Sequence, residues 1–291
     1  MQHLQWHKSR LVTLGPKIEG LSNTHPSKPG CLFQLAQLFD SVGNDAERKR
    51  LLTQTLVLYR EQQDDVRVAH ALRFLSDANL QLGLRKEGIQ QVEEALGIFK
   101  GLNDKQGQAL SLQRLARLLY DDGQLGAAEE VASQAIDLLS DESDRFHICE
   151  SHRILGNIYR SKGETERAIG HFETALEIAS PSNWHDELFW IHSDLARLFL
   201  GDSRFDDAQA HVADAKSHVV DDAFRLGRVM GLQAAIWCGE GKYEEARSEV
   251  LGATAIFKKL GAARELERCG EFLRTIEMRE LAGPGEPMRT V

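Results

Sequence analysis

Hydrophobic and small residues recur along this chain with a period of 40. Leu35, Leu75, Leu115, Leu155 and Leu195 are spaced by that interval, and each is followed by a small residue: Ala36, Ser76, Ala116, Gly156 or Ala196. Eight positions after each leucine stands a turn former, Gly43, Gly83, Gly123, Gly163 or Ser203. Glycine there supplies the positive φ that stops a helix. Ala128, Ala168 and Ala208 make one further column and Ala95, Ala135, Ala175 and Ala215 another, and a sixth copy follows after 38 residues with Ala234, Gly241, Ala246, Val250 and Ala253. Within the third copy, Leu112, Leu115, Ala116 and Leu119 fall at i, i+3, i+4 and i+7, which is the buried stripe of a helix. Each unit therefore predicts two helices joined at the glycine, about 105–121 and 125–140 in the third copy. Small residues in the repeating columns let the helix backbones approach closely. Asp64, Asp104 and Asp144 precede first helices and predict N-caps.

Composition agrees with helices. The six prolines are Pro16, Pro26, Pro29, Pro181, Pro284 and Pro287, so almost the whole interior of the 291-residue chain is free of them. No run of apolar residues is long enough to span a bilayer, and residues 1–8 lack the pattern of a secretory signal, so a cytoplasmic location is expected. Cys31, Cys149, Cys238 and Cys269 are scattered without a C-x-x-C pair, which predicts buried thiols and no zinc knuckle or disulfide framework.

One copy carries a family signature. Leu155-Gly156-Asn157-Ile158-Tyr159, Gly163, Ala168, Phe172 and Ala175-Leu176 resemble the tetratricopeptide repeat (TPR) pattern L-G-x-x-Y, A-x-x-x-F and A. The usual TPR period is about 34, so units of 40 imply longer helices or loops, similar to those of kinesin light chains and spindle-orientation adaptors. Copy one departs from the pattern with Arg48 and Thr55 in the small columns. The resemblance implies an all-α, right-handed TPR solenoid of helix-turn-helix repeats with a C-terminal cap helix. The expected division is an N-terminal, partly loop segment 1–28 with a helix over 2–14, then six units over 29–260 (about 29–62, 69–102, 109–142, 149–182, 189–220 and 227–260). A cap helix 262–281 and a flexible tail 282–291 complete it. Gly163–Ala179, Asn183-Trp-His-Asp186 and Phe205–Val212 also resemble the C-terminal TPR region of fungal NACHT or NB-ARC (STAND) receptor-like proteins. No G-x-x-x-x-G-K-[ST] motif is present, so no nucleotide binding is carried over from that resemblance.

Catalytic constellations are absent from the pattern. His147 and His152 are five apart, whereas a helical zinc pair needs four, and Cys149 with His152 lacks an orienting third group. His152 and His192 share a repeat column and are expected to pack between units. No enzyme activity, cofactor or metal is therefore expected.

Charge brings the picture back to binding. With 35 Lys and Arg against 44 Asp and Glu, the net charge is −9, which opposes nucleic-acid or anionic-membrane partners. In TPR proteins the inward face of the first helix forms the groove, here read two residues before and after each marker leucine. Those positions hold Arg73 and Asp77, Gln113 and Arg117, Arg153 and Asn157, and Ser193 and Arg197, with Arg160 one turn further. The arginines predict a groove for a protein or peptide partner carrying acidic groups, because guanidinium forks hold carboxylates bidentately. Asp121, Glu150 and Asp194 are the alternative intramolecular partners. Trp184, Phe189 and Trp190 cluster nearby, and Trp190 is read as a ligand anchor. The candidate site is thus Arg73, Arg117, Arg153, Asn157, Arg160, Arg197 and Trp190, in a non-enzymatic interaction scaffold. The alternative is a sensing or autoregulatory array of an NTPase-linked receptor.

Overall fold

A computed structural model describes residues 2–41, 44–139 and 144–282. Among the described residues there are 14 α-helices and no β-strand, so the chain has the all-α, TPR-like fold of helix-turn-helix repeats. It divides into two compact units, residues 1–162 and 163–291. Gly43, Pro284, Pro287 and nearly all of the expected tail lie outside the described residues.

The first unit holds α1 (Gln2–Glu19), α2 (Lys28–Ser41), α3 (Asp45–Glu61), α4 (Asp65–Gln81), α5 (Arg85–Gly101), α6 (Lys105–Asp121), α7 (Leu125–Leu138) and α8 (Arg145–Lys162). From α3 to α6 each helix is 17 residues long, and three-residue turns separate α4, α5, α6 and α7. From α3 to α6 the 40-residue period is therefore two long helices and two tight turns, and the extra length there lies in helix, not loop. The first turn of each pair is closed by Gly83 or Gly123, at φ 73° and 78°. The turn between pairs is closed by Gln63 or Asn103, at φ 55° and 54°. Short turns force antiparallel neighbours, and each helix from α2 to α8 packs on the next. In addition α4 touches α6 and α6 touches α8, so these first helices stand side by side and present one shared face.

The packing follows the sequence columns. Leu35, Leu75, Leu115 and Leu155 are buried, and Ala95, Ala128 and Ala135 are fully so. Asp64 and Asp104 accept from the N–H groups of Arg67 and Gly107, at 3.0 and 2.9 Å, and cap α4 and α6 as read from sequence. Asp144 precedes α8, is buried, and accepts from Gln106 Nε2 at 3.2 Å. At the N-terminus the helix expected to stop at residue 14 continues to Glu19, with Pro16 inside it. Proline costs that turn one N–H donor, and the four-residue-earlier position, Val12, is exposed. Leu11 and Ile18 of α1 pack on the core of Leu32, Leu35, Leu51 and Leu52. Lys28 reaches back and donates to Asn23 Oδ1 at 2.8 Å and to the carbonyls of Leu21 and Glu19, satisfying the end of α1.

The second unit holds α9 (Thr165–Ala179), a short 3₁₀ turn (Ser180–Ser182), α10 (His185–Gly201), α11 (Phe205–Ser217), α12 (Ala223–Gly239), α13 (Tyr243–Leu260) and α14 (Ala263–Ala282). Pro181 sits in the 3₁₀ turn, where its fixed φ is tolerated. Consecutive helices from α9 to α14 pack together, and α10 also touches α12. Cys269 and Ile276 of α14 are buried against Ala234, Val250, Ala253 and Phe257, with Leu266, Phe272 and Leu273 beside them. The expected fourth repeat, 149–182, runs across the division between the two units.

Candidate functional site

On the first unit, the helix period decides which polar side chains share the face of α4, α6 and α8. Residues at i, i+3 or i+4, and i+7 line one side of a helix. The half-buried positions that follow this rule are His70, Arg73 and Asp77 on α4, Leu110, Arg114 and Arg117 on α6, and Arg153, Asn157 and Arg160 on α8. The column read two residues before each leucine holds for Arg73 and Arg153 but not throughout. Gln113 is buried between helices, where it donates to Ser151 Oγ at 2.7 Å and to the His147 carbonyl at 2.5 Å. Its neighbour Arg114 occupies the face instead and was not singled out in the sequence; the i, i+3/i+4 rule, applied strictly, is the signal that finds it.

Arg114 is the hub of an ion-pair chain. Its Nε lies 3.4 Å from Asp77 Oδ1 on α4, and its Nη1 lies 3.7 Å from Glu150 Oε1 on α8. Arg117 Nη1 is 3.6 Å from the same Glu150 oxygen. At the other end Arg48 of α3, almost fully buried, donates to Asp40 Oδ1 at 2.7 Å and approaches Asp77 Oδ2 at 3.9 Å. The arginine that looks out of place in the small column of copy one thus anchors the network. Burial disfavours the charged Glu150, yet the His147 imidazole 4.0 Å away and the positive charges of Arg114, Arg117 and Arg153 outweigh it and hold the carboxyl far below the usual range.

Burial, and then repulsion from Arg114, pull Arg73 down to about 10, and Arg117 is lowered for the same two reasons. Both remain cationic at neutral pH. Arg73 Nε is buried with no hydrogen-bond partner, although the guanidinium lies 5.4 Å over the Phe74 ring. Arg160 donates to Asn157 Oδ1 and to the Tyr120 hydroxyl, each at 3.2 Å. The structure therefore brings Arg73, Arg117, Arg153, Asn157 and Arg160 onto one surface and adds Arg114 to it, with Arg48 buried beneath at the end of the network.

Arg197 and Trp190 belong to the second unit. Arg197 Nη1 donates to Asp194 Oδ1 at 2.7 Å, and Ser193 is buried. Trp190 stands edge-on to the buried Phe189 at 4.9 Å, and its ring is covered by the Arg228 guanidinium 5.1 Å away. Burial is the first cause, and the Arg197 charge the second, that bring Arg228 down to about 10, while Glu265 holds it at 3.2 Å.

The second unit also gathers histidines that stand in different sequence columns. His192 of α10 and His211 of α11 meet with their Nδ1 atoms 3.0 Å apart. His185 and His218 meet likewise at 3.1 Å. Asp214 Oδ2 lies 3.7 Å from His192 Nδ1 and 4.0 Å from His211 Nδ1. Burial holds His192 down to about 4 against the pull of Asp214. The sequence rejected a zinc pair at His147 and His152 and passed over this group. Its only linear trace is His211 and Asp214 at i and i+3, because the remaining member comes from another helix.

Comparison with known proteins places this geometry in a fold. Residues 147–217 match the tetratricopeptide repeat family model. No curated protein matches the chain. Among solved structures it resembles a Rap protein complexed with competence and sporulation factor, at 12% identity and TM-score 0.71, over 94% of this chain and 81% of that one. It also resembles the apo quorum sensor NprR from B. thuringiensis, at 13% identity and TM-score 0.62, over 95% and 83% respectively. A third is a signal transduction ATPase with numerous domains (STAND) protein with a tetratricopeptide repeat sensor from Pyrococcus horikoshii. Identity is 15% and the TM-score 0.62, over 97% of this chain and 46% of that protein. At these identities the likeness is one of fold.

Proposed function

We propose that the chain is a non-enzymatic protein-interaction scaffold whose first unit captures a carboxylate-bearing peptide segment on the α4–α6–α8 face. The observation that carries this reading is the gathering of Arg73, Arg114 and Arg117, with Arg153 close by, on one part-buried face where the carboxylates of Asp40, Asp77, Asp104 and Glu150 act on them. Burial and repulsion from Arg114 lower both Arg73 and Arg117, so an incoming carboxylate on this face relieves repulsion among the guanidiniums. The flanking Asn157 and Arg160 supply polar contacts for the peptide backbone. Arg197 and Trp190 of the second unit offer a further contact set. Two fold neighbours support a binding role, one solved in complex with a competence and sporulation factor and one named a quorum sensor.

Peptide selection on the immobilised chain tests this. Selected peptides are expected to be rich in Asp and Glu, to bind more weakly as salt rises, and to lose at least about tenfold in affinity to the Arg73→Gln/Arg117→Gln variant. An exposed control, Arg60→Gln, should bind as the parent does. Peptides without acidic bias, or affinity untouched by the double variant, would overturn the assignment.

A second reading is favoured by the STAND neighbour, which matches 97% of this chain with 46% of its own length. There the array would act as the sensing or autoregulatory part of an NTPase-linked receptor. The coding sequence upstream of Met1 decides it: an in-frame G-x-x-x-x-G-K-[ST] supports the reading, and its lack removes it.

A further inference from the structure

We propose that His192, His211 and Asp214 form a binding site for one divalent transition-metal ion of the zinc type, tying α10 to α11. The three side chains come from adjacent packed helices and converge on one point, His211 and Asp214 from successive turns of α11 and His192 from α10. Two imidazole nitrogens and a carboxylate oxygen are the donor set that zinc and its neighbours in the series accept.

The spacing fits the ion. Bonds of about 2.0–2.1 Å at a tetrahedral angle put ligand atoms roughly 3.3 Å apart. The three separations here, 3.0, 3.7 and 4.0 Å, straddle that value, so rotamer adjustments of a few tenths of an ångström bring all three into the first coordination sphere. The imidazoles are already oriented. The Phe199 ring lies parallel to His211, 3° between planes and 5.4 Å between centroids, and His218 stacks on His192 at 17° and 5.9 Å. Flat neighbours that fix ring planes reduce the ordering an ion must impose.

The proton count also closes. In the ion-free pair one Nδ1 donates to the other, so one ring is the Nδ1–H tautomer and its partner the Nε2–H tautomer. Placing a metal between them moves the first ring to Nε2–H and releases no net proton. His192 and His211 are largely buried, whereas the Asp214 side chain is 56% exposed, so the ion enters from the carboxylate side and a water completes the fourth position there. His218 is engaged with His185 and acts as an orienting neighbour, not as a ligand.

The test uses the full chain without an affinity tag, stripped with chelator. Zn²⁺ titration should show one saturable equivalent and a raised melting temperature, and Co²⁺ should give the visible absorption of a low-symmetry four-coordinate site. Asp214→Asn and His211→Asn should each weaken binding by more than the 10- to 100-fold typical of losing an outer-shell partner, while His25→Ala should not. Because Asp214 is exposed, its variant tests the site even where a histidine replacement perturbs folding. Absence of saturable binding, or affinity unchanged in Asp214→Asn and His211→Asn, would overturn the proposal.

Discussion

Glu150 Oε1 lies between the guanidiniums of Arg114 and Arg117, 3.7 and 3.6 Å away, and joins α6 to α8. The three groups are partly withdrawn from water, so their attraction is screened less than that of a surface pair. This arrangement has a defined acid limit. The folded-state pKa of Glu150 is depressed, so its contribution is fully present above the ordinary glutamate range near 4.3 and is lost progressively as pH falls below it. Glu150→Gln should therefore lower stability at neutral pH by about 1–3 kcal/mol, since it removes the carboxylate beside Arg117 and leaves Arg114 with Asp77. Between about pH 5 and 2 its stability should fall less steeply than that of the parent. Denaturant unfolding at stepped pH, followed by circular dichroism, measures both effects.

Phe99 fills the space where a side chain on Gly107 would stand. A Cβ built at Gly107 meets ring atoms of Phe99 at 2.3 and 2.6 Å, so the close approach of α5 and α6 depends on glycine there. Alanine normally favours a helix interior over glycine by roughly 1 kcal/mol. At Gly107 the clash should reverse that sign, and Gly107→Ala is expected to destabilise the chain by about 1–3 kcal/mol. Gly126→Ala is the control, because no atom lies within 4 Å of its Cβ position and a small gain is expected. Paired unfolding curves for the two variants give the difference directly.

The helices were legible because two independent signals agreed. Columns of leucine and alanine marked the buried faces, and glycines at 83, 123, 163 and 241 marked the turns, all four with φ between 73° and 78°. Less visible was the second turn of each pair. Gln63, Asn103 and Asn183 take φ near 50° there without being glycine; asparagine tolerates the left-handed region, but Gln63 carries no such signal. Helix α1 runs past its expected end with Pro16 inside it, and Leu11 and Ile18, on either side of the proline, both pack on the core.

The binding face was legible in part. A fixed offset from the marker leucine found Arg73, Arg117 and Arg153 but took in Gln113, which turns inward to hydrogen bond with α8. A helix advances 100° per residue, so a single offset samples the edge of the face, where a neighbouring residue can take over. Arg114 did so. The histidine group escaped for another reason, since His192 and His211 lie 19 residues apart and stand in two different repeat columns, the first with His152 and the second with His171. Only packing of α10 on α11 brings them together.

Ser203 gives a final, quantitative test of the turn rule. It occupies the position held by Gly83 and Gly123 in earlier copies and by Gly163 in the fourth, and it adopts φ 57°. Its N–H donates to the Leu200 carbonyl at 3.1 Å, the bond that closes the end of α10. A serine in this left-handed region pays roughly 1–2 kcal/mol because its Cβ crowds the following carbonyl oxygen. Glycine removes that cost but adds conformational entropy to the unfolded chain, which returns about 0.5–1 kcal/mol. The difference favours glycine, so Ser203→Gly should stabilise the chain by roughly 0.5–1 kcal/mol. Gly123→Ala, at φ 78° with no steric contact around its Cβ, should destabilise it by about 1 kcal/mol through backbone strain alone. Opposite shifts of the unfolding midpoint in the two variants are the expected result; a destabilised Ser203→Gly would mean that the serine side chain, and not its backbone conformation, holds this turn.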